Sequence, residues 1–153
     1  MLFKVDKFVS ENPFLKLIKL ANYDRNRQFI KELCKSCSKK DTVIYYLYIG
    51  EEICGFVGIS VNKIDNIPCL QVDYIYVKEE YRKSEFEELN QKRISEFLIF
   101  LCMEIGKDLQ SKIGLRWLAL IPDNNELEVF YIEYFKFTKY KTKNNIHILF
   151  ISL

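Results

Sequence analysis

A β-prone stretch that leads through a charged connection into an apolar-periodic helix is the part of this sequence best suited to chemistry. Leu70–Val77 is rich in β-branched and aromatic residues, which predicts a central strand. From Ile94 onward apolar residues recur at three- and four-residue spacing, which predicts a helix that ends at Gly106. A strand that leads to the N-terminus of a packed helix offers free backbone N–H groups and a favourable dipole. The stretch is therefore a candidate phosphate site.

Asp73 is the only carboxylate in the predicted central strand, and Gln71 lies on the same strand face two residues earlier. An unpaired buried carboxylate is costly, so Asp73 indicates function if its face is buried. If that face is open, Asp73 is simply solvated. Both interpretations stay open at this stage.

Cys34 and Cys37 have the spacing of half a zinc or redox motif. The sequence has no second pair of this kind, and its single histidine, His147, is far away. Small apolar residues on one helix face have the same spacing, so we expect buried helix cysteines and no metal site. Five cysteines, an odd number, indicate reduced thiols.

Length and composition predict one domain over residues 1–153, because 153 residues and 49% hydrophobic content suffice for one substantial core. The charges nearly cancel, 23 Lys and Arg against 21 Asp and Glu, so nothing indicates a nucleic-acid partner across the whole chain. No apolar run reaches membrane-span length and no signal peptide is recognisable, so we expect a cytoplasmic protein. An aromatic content of 15% suggests rings that face a ligand or a second subunit, and a homodimer is one interpretation.

The elements around the central strand follow the predicted order βααβββαβαββ. A weakly alternating strand, Leu2–Val9, precedes two short helices, of which the second carries Leu33, Cys34 and Cys37. The remaining predicted elements are strands at Thr42–Ile49, Ile53–Val61 and Gly114–Ile121, a helix at Glu126–Tyr134, and a hairpin of Phe135–Lys141 with Ile146–Leu153. Together they predict an α/β (α+β) fold, with a mixed, mainly antiparallel sheet of about seven strands and helices on both faces.

This order resembles the GNAT N-acetyltransferases, and four segments carry the resemblance over residues 42–153. Residues 50–58 resemble the second hairpin of that family, residues 73–82 its fourth strand and cofactor loop, and residues 94–106 its third helix. Residues 124–137 resemble its N-x-x-A-x-x-F-Y segment, with Asn124, Phe130 and Tyr131 in register.

The resemblance implies that acetyl-coenzyme A (acetyl-CoA) is the cofactor. Its pantetheine would lie along the backbone of Ile75, Tyr76 and Val77, and its pyrophosphate at the start of the third helix. The cofactor region of the family corresponds here to Arg82, Lys83 and Asn124.

The pyrophosphate loop departs from the R/Q-x-x-G-x-G/A pattern of the family, because residues 82–87 read RKSEFE and contain no glycine. Glu85 and Glu87 stand where small residues belong and would repel phosphate. Lys92 and Arg93, immediately before the helix, could supply replacement positive charge.

The resemblance also implies direct acetyl transfer, with a base that takes a proton from an amine and a tyrosine that protonates the leaving thiolate. Tyr131 would be this acid, and Asp73 or Gln71 would provide the base. A shift of one residue in the register puts Phe130 at the acid position instead.

Two functions follow. The first is an N-acetyltransferase whose amine acceptor is a small molecule, a protein or, as in toxin-type members, an aminoacyl-tRNA; other nucleic acids and membranes are not expected as partners. The second is an inactive binding or dimerisation module whose cofactor loop has decayed.

Overall fold

A seven-stranded sheet with the strand order β1-β2-β3-β4-β7-β9-β8 is the main feature of the computed structural model, which describes residues 3–7, 31–37, 39 and 41–153. Strand β7 is parallel to β4, whereas antiparallel pairs join β1 to β2, β2 to β3, β7 to β9 and β8 to β9. The predicted mixed, mainly antiparallel sheet is confirmed. Its strands are β1 (Phe3–Lys7), β2 (Val43–Ile49), β3 (Glu52–Ile64), β4 (Ile67–Val77), β7 (Trp117–Leu120), β8 (Thr138–Lys141) and β9 (His147–Ser152).

Among the described residues, three α-helical segments accompany the sheet: α1 at residues 31–37, α2 (Ile94–Ile113) and α3 (Asn125–Phe135). Between β4 and α2 the chain forms a small separate ribbon from β5 (Glu85–Phe86) and β6 (Lys92–Arg93), which the sequence did not predict. The predicted first helix and the start of the second lie outside the described residues.

The prediction that α2 ends at Gly106 is wrong, because the helix continues to Ile113. A β-carbon at Gly106 would lie 2.7 Å from Cδ2 of Leu153, so this glycine permits close packing inside the helix. The left-handed residue that follows the helix is Gly114, with φ +67°. Glycine therefore does mark the helix end, about two turns beyond the predicted position.

Two tight turns connect the three successive strands, as predicted. Gly50 adopts φ +61° between β2 and β3, and Asp65 and Asn66 adopt φ 47° and 67° between β3 and β4. Because only these last two residues form the turn, β3 runs to Ile64, three residues further than the sequence indicated.

Backbone contacts group the chain into two compact units. Unit 1 comprises the described residues of Met1–Ile59 together with Tyr74–Phe100, and unit 2 comprises Ser60–Asp73 with Leu101–Leu153. In unit 1, α1 packs on strand side chains in a buried cluster of Leu33, Cys34, Cys37, Ile44, Tyr46, Phe56 and Tyr76. In unit 2, Cys69, Ala119 and Ile148 form a buried cluster against which Trp117 and Phe150 pack, with ring centroids 4.0 Å apart.

All five cysteines are free and buried, which confirms the expectation of buried helix thiols for Cys34 and Cys37. Burial raises the pKa of Cys34 to about 11, so this thiol stays protonated at neutral pH and lacks the reactivity of a redox motif. Within the described ranges, no group of three or more His, Cys, Asp or Glu residues could hold a metal ion. None of the described helices is both long and apolar enough to cross a membrane.

Candidate active site

The C-terminal end of β4 carries the backbone that the resemblance assigns to the cofactor. The pairing of β4 with β7 ends at Val72 and Leu120, so Ile75–Val77 lies beyond that register. The Tyr76 ring stacks on Phe56 inside unit 1, with centroids 5.5 Å apart. Since strand side chains alternate, Ile75 and Val77 point to the opposite face.

Arg82 folds back onto this strand end. Its Nε donates a hydrogen bond to the Val77 carbonyl at 2.8 Å, and its guanidinium lies 5.4 Å from the centroid of the Tyr76 ring. Arg82 therefore engages a backbone group that the resemblance assigns to pantetheine.

Lys78, the next residue after β4, is held by two carboxylates. Its ammonium forms ion pairs with Glu52 and Glu80, and its backbone N–H donates to the Cys54 carbonyl at 2.9 Å. These carboxylate hydrogen bonds raise the pKa of Lys78, and the bond from Lys78 lowers the pKa of Glu52. The contacts fix where the strand ends and the loop begins.

The glycine-free loop reaches its conformation with ordinary residues. Lys83, Asn90 and Gln91 adopt φ values of 67°, 56° and 62°, in the left-handed region that glycine usually occupies. In the β5–β6 ribbon Glu85 lies opposite Arg93, a cross-strand pairing of opposite charges. The Glu85 and Glu87 side chains are exposed.

Two basic residues lie at the start of α2. Lys92 places its ammonium 5.2 Å from the centroid of the Phe100 ring. Arg93 is half-buried, and its Nε is buried without a hydrogen-bond partner among the residues that the structure describes. Glu96, in the first turn, is buried, and Glu85 lies opposite Arg93 in the ribbon, so two carboxylates accompany the two cations. A buried donor without a hydrogen-bond acceptor lowers the stability of the fold, and a bound acceptor removes this cost. These residues thus fit a phosphate group held by side chains in place of glycine backbone.

Asp73 and Gln71 are each hydrogen-bonded to a side chain of β3, within unit 2. Ser60 Oγ donates to Asp73 Oδ1 at 2.9 Å, and Asn62 Nδ2 donates to Gln71 Oε1 at 2.8 Å. Asp73 and Ser60 are both half-buried. The structure thus places Asp73 on a partly accessible face with a hydroxyl donor beside it.

An open pocket of about 260 Å³ adjoins Gln71 in unit 2. Asp65 lines this pocket, and its Oδ2 accepts hydrogen bonds from Tyr140 Oη at 2.8 Å and from the Lys143 N–H at 2.9 Å. Ile121 and Ile146 also line the pocket and are 57% and 51% exposed. The pocket combines an aliphatic wall with hydrogen-bonding side chains, as small-ligand sites do.

Tyr131 faces the interior of unit 2, from helix α3. It is 6% exposed and contacts Phe135 and Phe137, with centroids 6.0 and 5.8 Å from its own. Burial first, and then the charges of Asp123 and Cys102, raise the pKa of Tyr131 to about 12. The Tyr131 hydroxyl is therefore protonated at neutral pH.

The alternative register residue, Phe130, is half-buried and stacks on Tyr134, with centroids 5.4 Å apart. Asn124 is the N-cap of α3, because its Oδ1 accepts a hydrogen bond from the Leu127 N–H at 2.9 Å. The structure thus gives Asn124 a capping contact, and its predicted contact with the cofactor stays a prediction.

Sequence reasoning missed two residues of this region. Ser60 became visible only through its hydrogen bond to Asp73, because a two-residue turn at Asp65 and Asn66 would place Ser60 opposite Gln71 instead. Cys102 affects the Tyr131 hydroxyl from helix α2, and no local pattern in the sequence connects these two residues.

Comparison with known proteins identifies the fold. No family model and no curated protein sequence matches the chain. Among solved structures, a mutant of the AtaT toxin bound to the C-terminus of the antitoxin AtaR gives a TM-score of 0.75 at 12% identity, covering 99% of this chain and 92% of that one. AtaT complexed with acetyl-methionyl-tRNAfMet gives 0.74 at 12% identity, with 98% and 94% covered.

The PaiA N-acetyltransferase from Thermoplasma acidophilum, solved with coenzyme A, gives a TM-score of 0.64 at 17% identity and covers both chains completely. At such identities the likeness concerns the fold. This chain therefore has a GNAT-like fold, as its sequence predicted.

Proposed function

We propose that this protein is an N-acetyltransferase that transfers an acetyl group from acetyl-CoA to an amine. The observation that carries the proposal is the basic pair at the start of α2, where the buried Nε of Arg93 lacks an acceptor among the described residues. A long helix that begins beside two cations is suited to a pyrophosphate.

β4 and the segment that follows it would supply most of the cofactor contacts. Lys92 and Arg93 would neutralise the pyrophosphate, with Lys83 on the exposed loop as a further cation. The backbone of Ile75, Tyr76 and Val77 would hydrogen-bond the pantetheine, which requires Arg82 to release the Val77 carbonyl. Asn124, at the N-terminus of α3, is the remaining proposed contact.

Asp73 and Tyr131 would carry out the proton transfers. When bound, acetyl-CoA supplies a thioester whose carbonyl carbon accepts the amine. Asp73 would accept the proton that the amine loses as its nitrogen forms the new C–N bond. Tyr131 would donate its hydroxyl proton to the sulfur as the C–S bond breaks, a role that its raised pKa permits.

The pocket beside Gln71 supports a place for the acceptor in unit 2. Gln71, which lines the pocket, lies on the same strand face as Asp73, two residues earlier. The isoleucines of the pocket would contact the organic group that bears the amine. A small amine, a protein amino group and an aminoacyl-tRNA are the acceptor classes to test. The solved AtaT complex with acetyl-methionyl-tRNAfMet is the reason for including the last class.

A second candidate, an inactive GNAT-like binding module, is favoured by one observation. Arg82 occupies the Val77 carbonyl, and the neighbouring loop residues Glu85 and Glu87 are exposed acids that would disfavour a phosphate.

Calorimetric titration with acetyl-CoA tests the two candidates, with coenzyme A and phosphate-free pantetheine as companions. The enzyme predicts micromolar binding of both coenzymes and much weaker binding of pantetheine, because the phosphates would make the strongest contacts. If millimolar acetyl-CoA does not bind, the inactive module is correct. Positive binding leads to a screen of the three acceptor classes with labelled acetyl-CoA.

A further inference from the structure

Two side-chain hydrogen bonds run in parallel from β3 to β4 on one face of unit 2. Ser60 donates to Asp73 at 2.9 Å and Asn62 donates to Gln71 at 2.8 Å. The Ser60 bond is partly buried whereas the Asn62 bond is exposed, so the Ser60 bond is less weakened by competing water. Of the two β4 residues, only Asp73 can accept a proton as a base.

A hydrogen bond to one carboxylate oxygen has two consequences. It stabilises the ionised form, which is the form that can accept a proton. It also restrains rotation of the carboxylate, because rotation would break the bond to Oδ1. A base that is held in one orientation needs less reorganisation during the reaction.

We propose that Ser60 is a positioning residue, which holds the Asp73 carboxylate in the orientation that accepts the proton of the amine. This inference rests on the proposed acetyltransferase function. Ser60 itself exchanges no proton with the substrate, and it acts only through Asp73.

Substitution of Ser60 by another uncharged residue does not change any charged group around Asp73. On the shared face, β4 and β7 present Gln71 and Ala119, which are uncharged, and β3 presents Asn62. Lys63 and Asp65 line the pocket together with Gln71, and Asp65 accepts a hydrogen bond from Tyr140 at 2.8 Å. Ser60 variants leave all of these unchanged.

The test compares Ser60→Ala and Ser60→Thr with Ser111→Ala. Ser111 is a matched control, because it is an exposed serine whose Oγ also donates a hydrogen bond, to the Asp108 carbonyl at 2.6 Å, at the far end of α2. Carbon-13 NMR follows the titration of the Asp73 carboxyl, assigned by its loss in Asp73→Asn. Turnover is measured with labelled acetyl-CoA and two acceptor probes, bulk aminoacyl-tRNA and a series of primary alkylamines.

In Ser60→Ala we expect the Asp73 titration midpoint to rise by about one pH unit, since the ionised carboxylate loses a donor. We expect kcat to fall by about tenfold, with little change in the KM for acetyl-CoA. Ser60→Thr, which keeps the hydroxyl, should restore both values, and Ser111→Ala should resemble the wild type.

An unchanged Asp73 titration in Ser60→Ala would overturn the inference whatever the enzyme does. Unchanged kcat with a shifted titration would also overturn it, because the hydrogen bond would then have no effect on the reaction. Wild-type protein that neither binds acetyl-CoA nor acetylates either probe would refute the proposed function, and the inference with it. Wild-type calorimetry and turnover distinguish this last outcome from the first two.

Discussion

The Tyr131 hydroxyl lies within an aromatic cluster, and this environment determines its protonation state. Burial raises its pKa to about 12, so the group holds its proton across the whole physiological range. A general acid must be protonated at the start of the step, and Tyr131 meets this condition. The same burial also fits a purely structural aromatic residue, and mutation separates the two roles.

Tyr131→Phe should lower kcat by about ten- to a thousandfold while acetyl-CoA binding is retained, because the ring stays and only the proton donor is lost. Wild-type activity should show no loss from deprotonation of Tyr131 until the pH approaches about 12. Steady-state kinetics over a pH series would measure both effects. Tyr134→Phe is the matched control, since Tyr134 lies on the same helix and is 52% exposed. Full activity of Tyr131→Phe would exclude Tyr131 from the mechanism.

Arg93 offers a second test at the level of single residues. Replacing it with glutamine removes the charge, and we expect the Kd for acetyl-CoA to rise by about ten- to a hundredfold, because a charge-assisted hydrogen bond is lost. Lys112→Gln is the control, since Lys112 is an exposed lysine at the other end of the same helix, paired with Asp108 at 3.1 Å. Equal affinities of the two variants in calorimetry would mean that Arg93 does not contact the cofactor.

At the scale of elements, β3 depends on glycine where it meets the end of β4 and the start of α2. A β-carbon at Gly55 would lie 2.9 Å from the backbone oxygen of Tyr76 and 3.1 Å from Cγ2 of Ile94. Because a backbone atom cannot easily move aside, Gly55→Ala should lower the free energy of unfolding by about 1–3 kcal/mol.

Gly58→Ala provides the comparison for Gly55→Ala on the same strand. The nearest atom to its added β-carbon would be the Leu33 side-chain tip, at 3.0 Å, which can rotate away. Urea denaturation of both variants should show a clearly smaller loss for Gly58→Ala. Equal losses would mean that Tyr76 and Ile94 are not held in place as the structure shows.

Local sequence patterns predicted which helices and strands form. They did not predict features that depend on contacts between distant parts of the chain. The strands and the α2 face follow from apolar spacing, so their presence was predictable. The end of α2 was not predictable, because Gly106 permits close packing against Leu153, 47 residues later, and does not end the helix. The β5–β6 ribbon depends on Lys83, Asn90 and Gln91 in left-handed conformations, which asparagine favours but lysine and glutamine do not.

Some features of the candidate site were likewise predictable from the sequence, and others required the structure. Asp73 was identifiable as the only carboxylate in its strand, but Ser60 was identified only through its hydrogen bond to Asp73 in the structure. Arg93 was predicted as replacement charge, whereas the orphaned state of its Nε depends on packing. Tyr131 stays the proposed acid because the Phe130 side chain has no proton to donate, and the register between the two residues stays a prediction.

At the scale of the whole molecule, charge limits how the acceptor can be recruited. The chain has 23 basic and 21 acidic residues, a net charge of +2, so general attraction to nucleic acid is weak. An aminoacyl-tRNA acceptor would therefore need specific contacts at its aminoacyl end. A small amine would need none beyond the pocket.

Acetyl-CoA should stabilise the whole protein, because a ligand that binds only the folded state adds RT ln(1 + [L]/Kd) to the free energy of unfolding. At a concentration of 100 Kd this amounts to about 2.7 kcal/mol. For a chain of 153 residues we expect Tm to rise by about 5–10 °C. Circular dichroism would follow helix loss, and Trp117 fluorescence would report on unit 2. Arg93→Gln should reduce the rise at the same ligand concentration, since its Kd is higher, whereas Lys112→Gln should not. An unchanged Tm in the wild type at millimolar acetyl-CoA would contradict cofactor binding and leave the fold as a binding module.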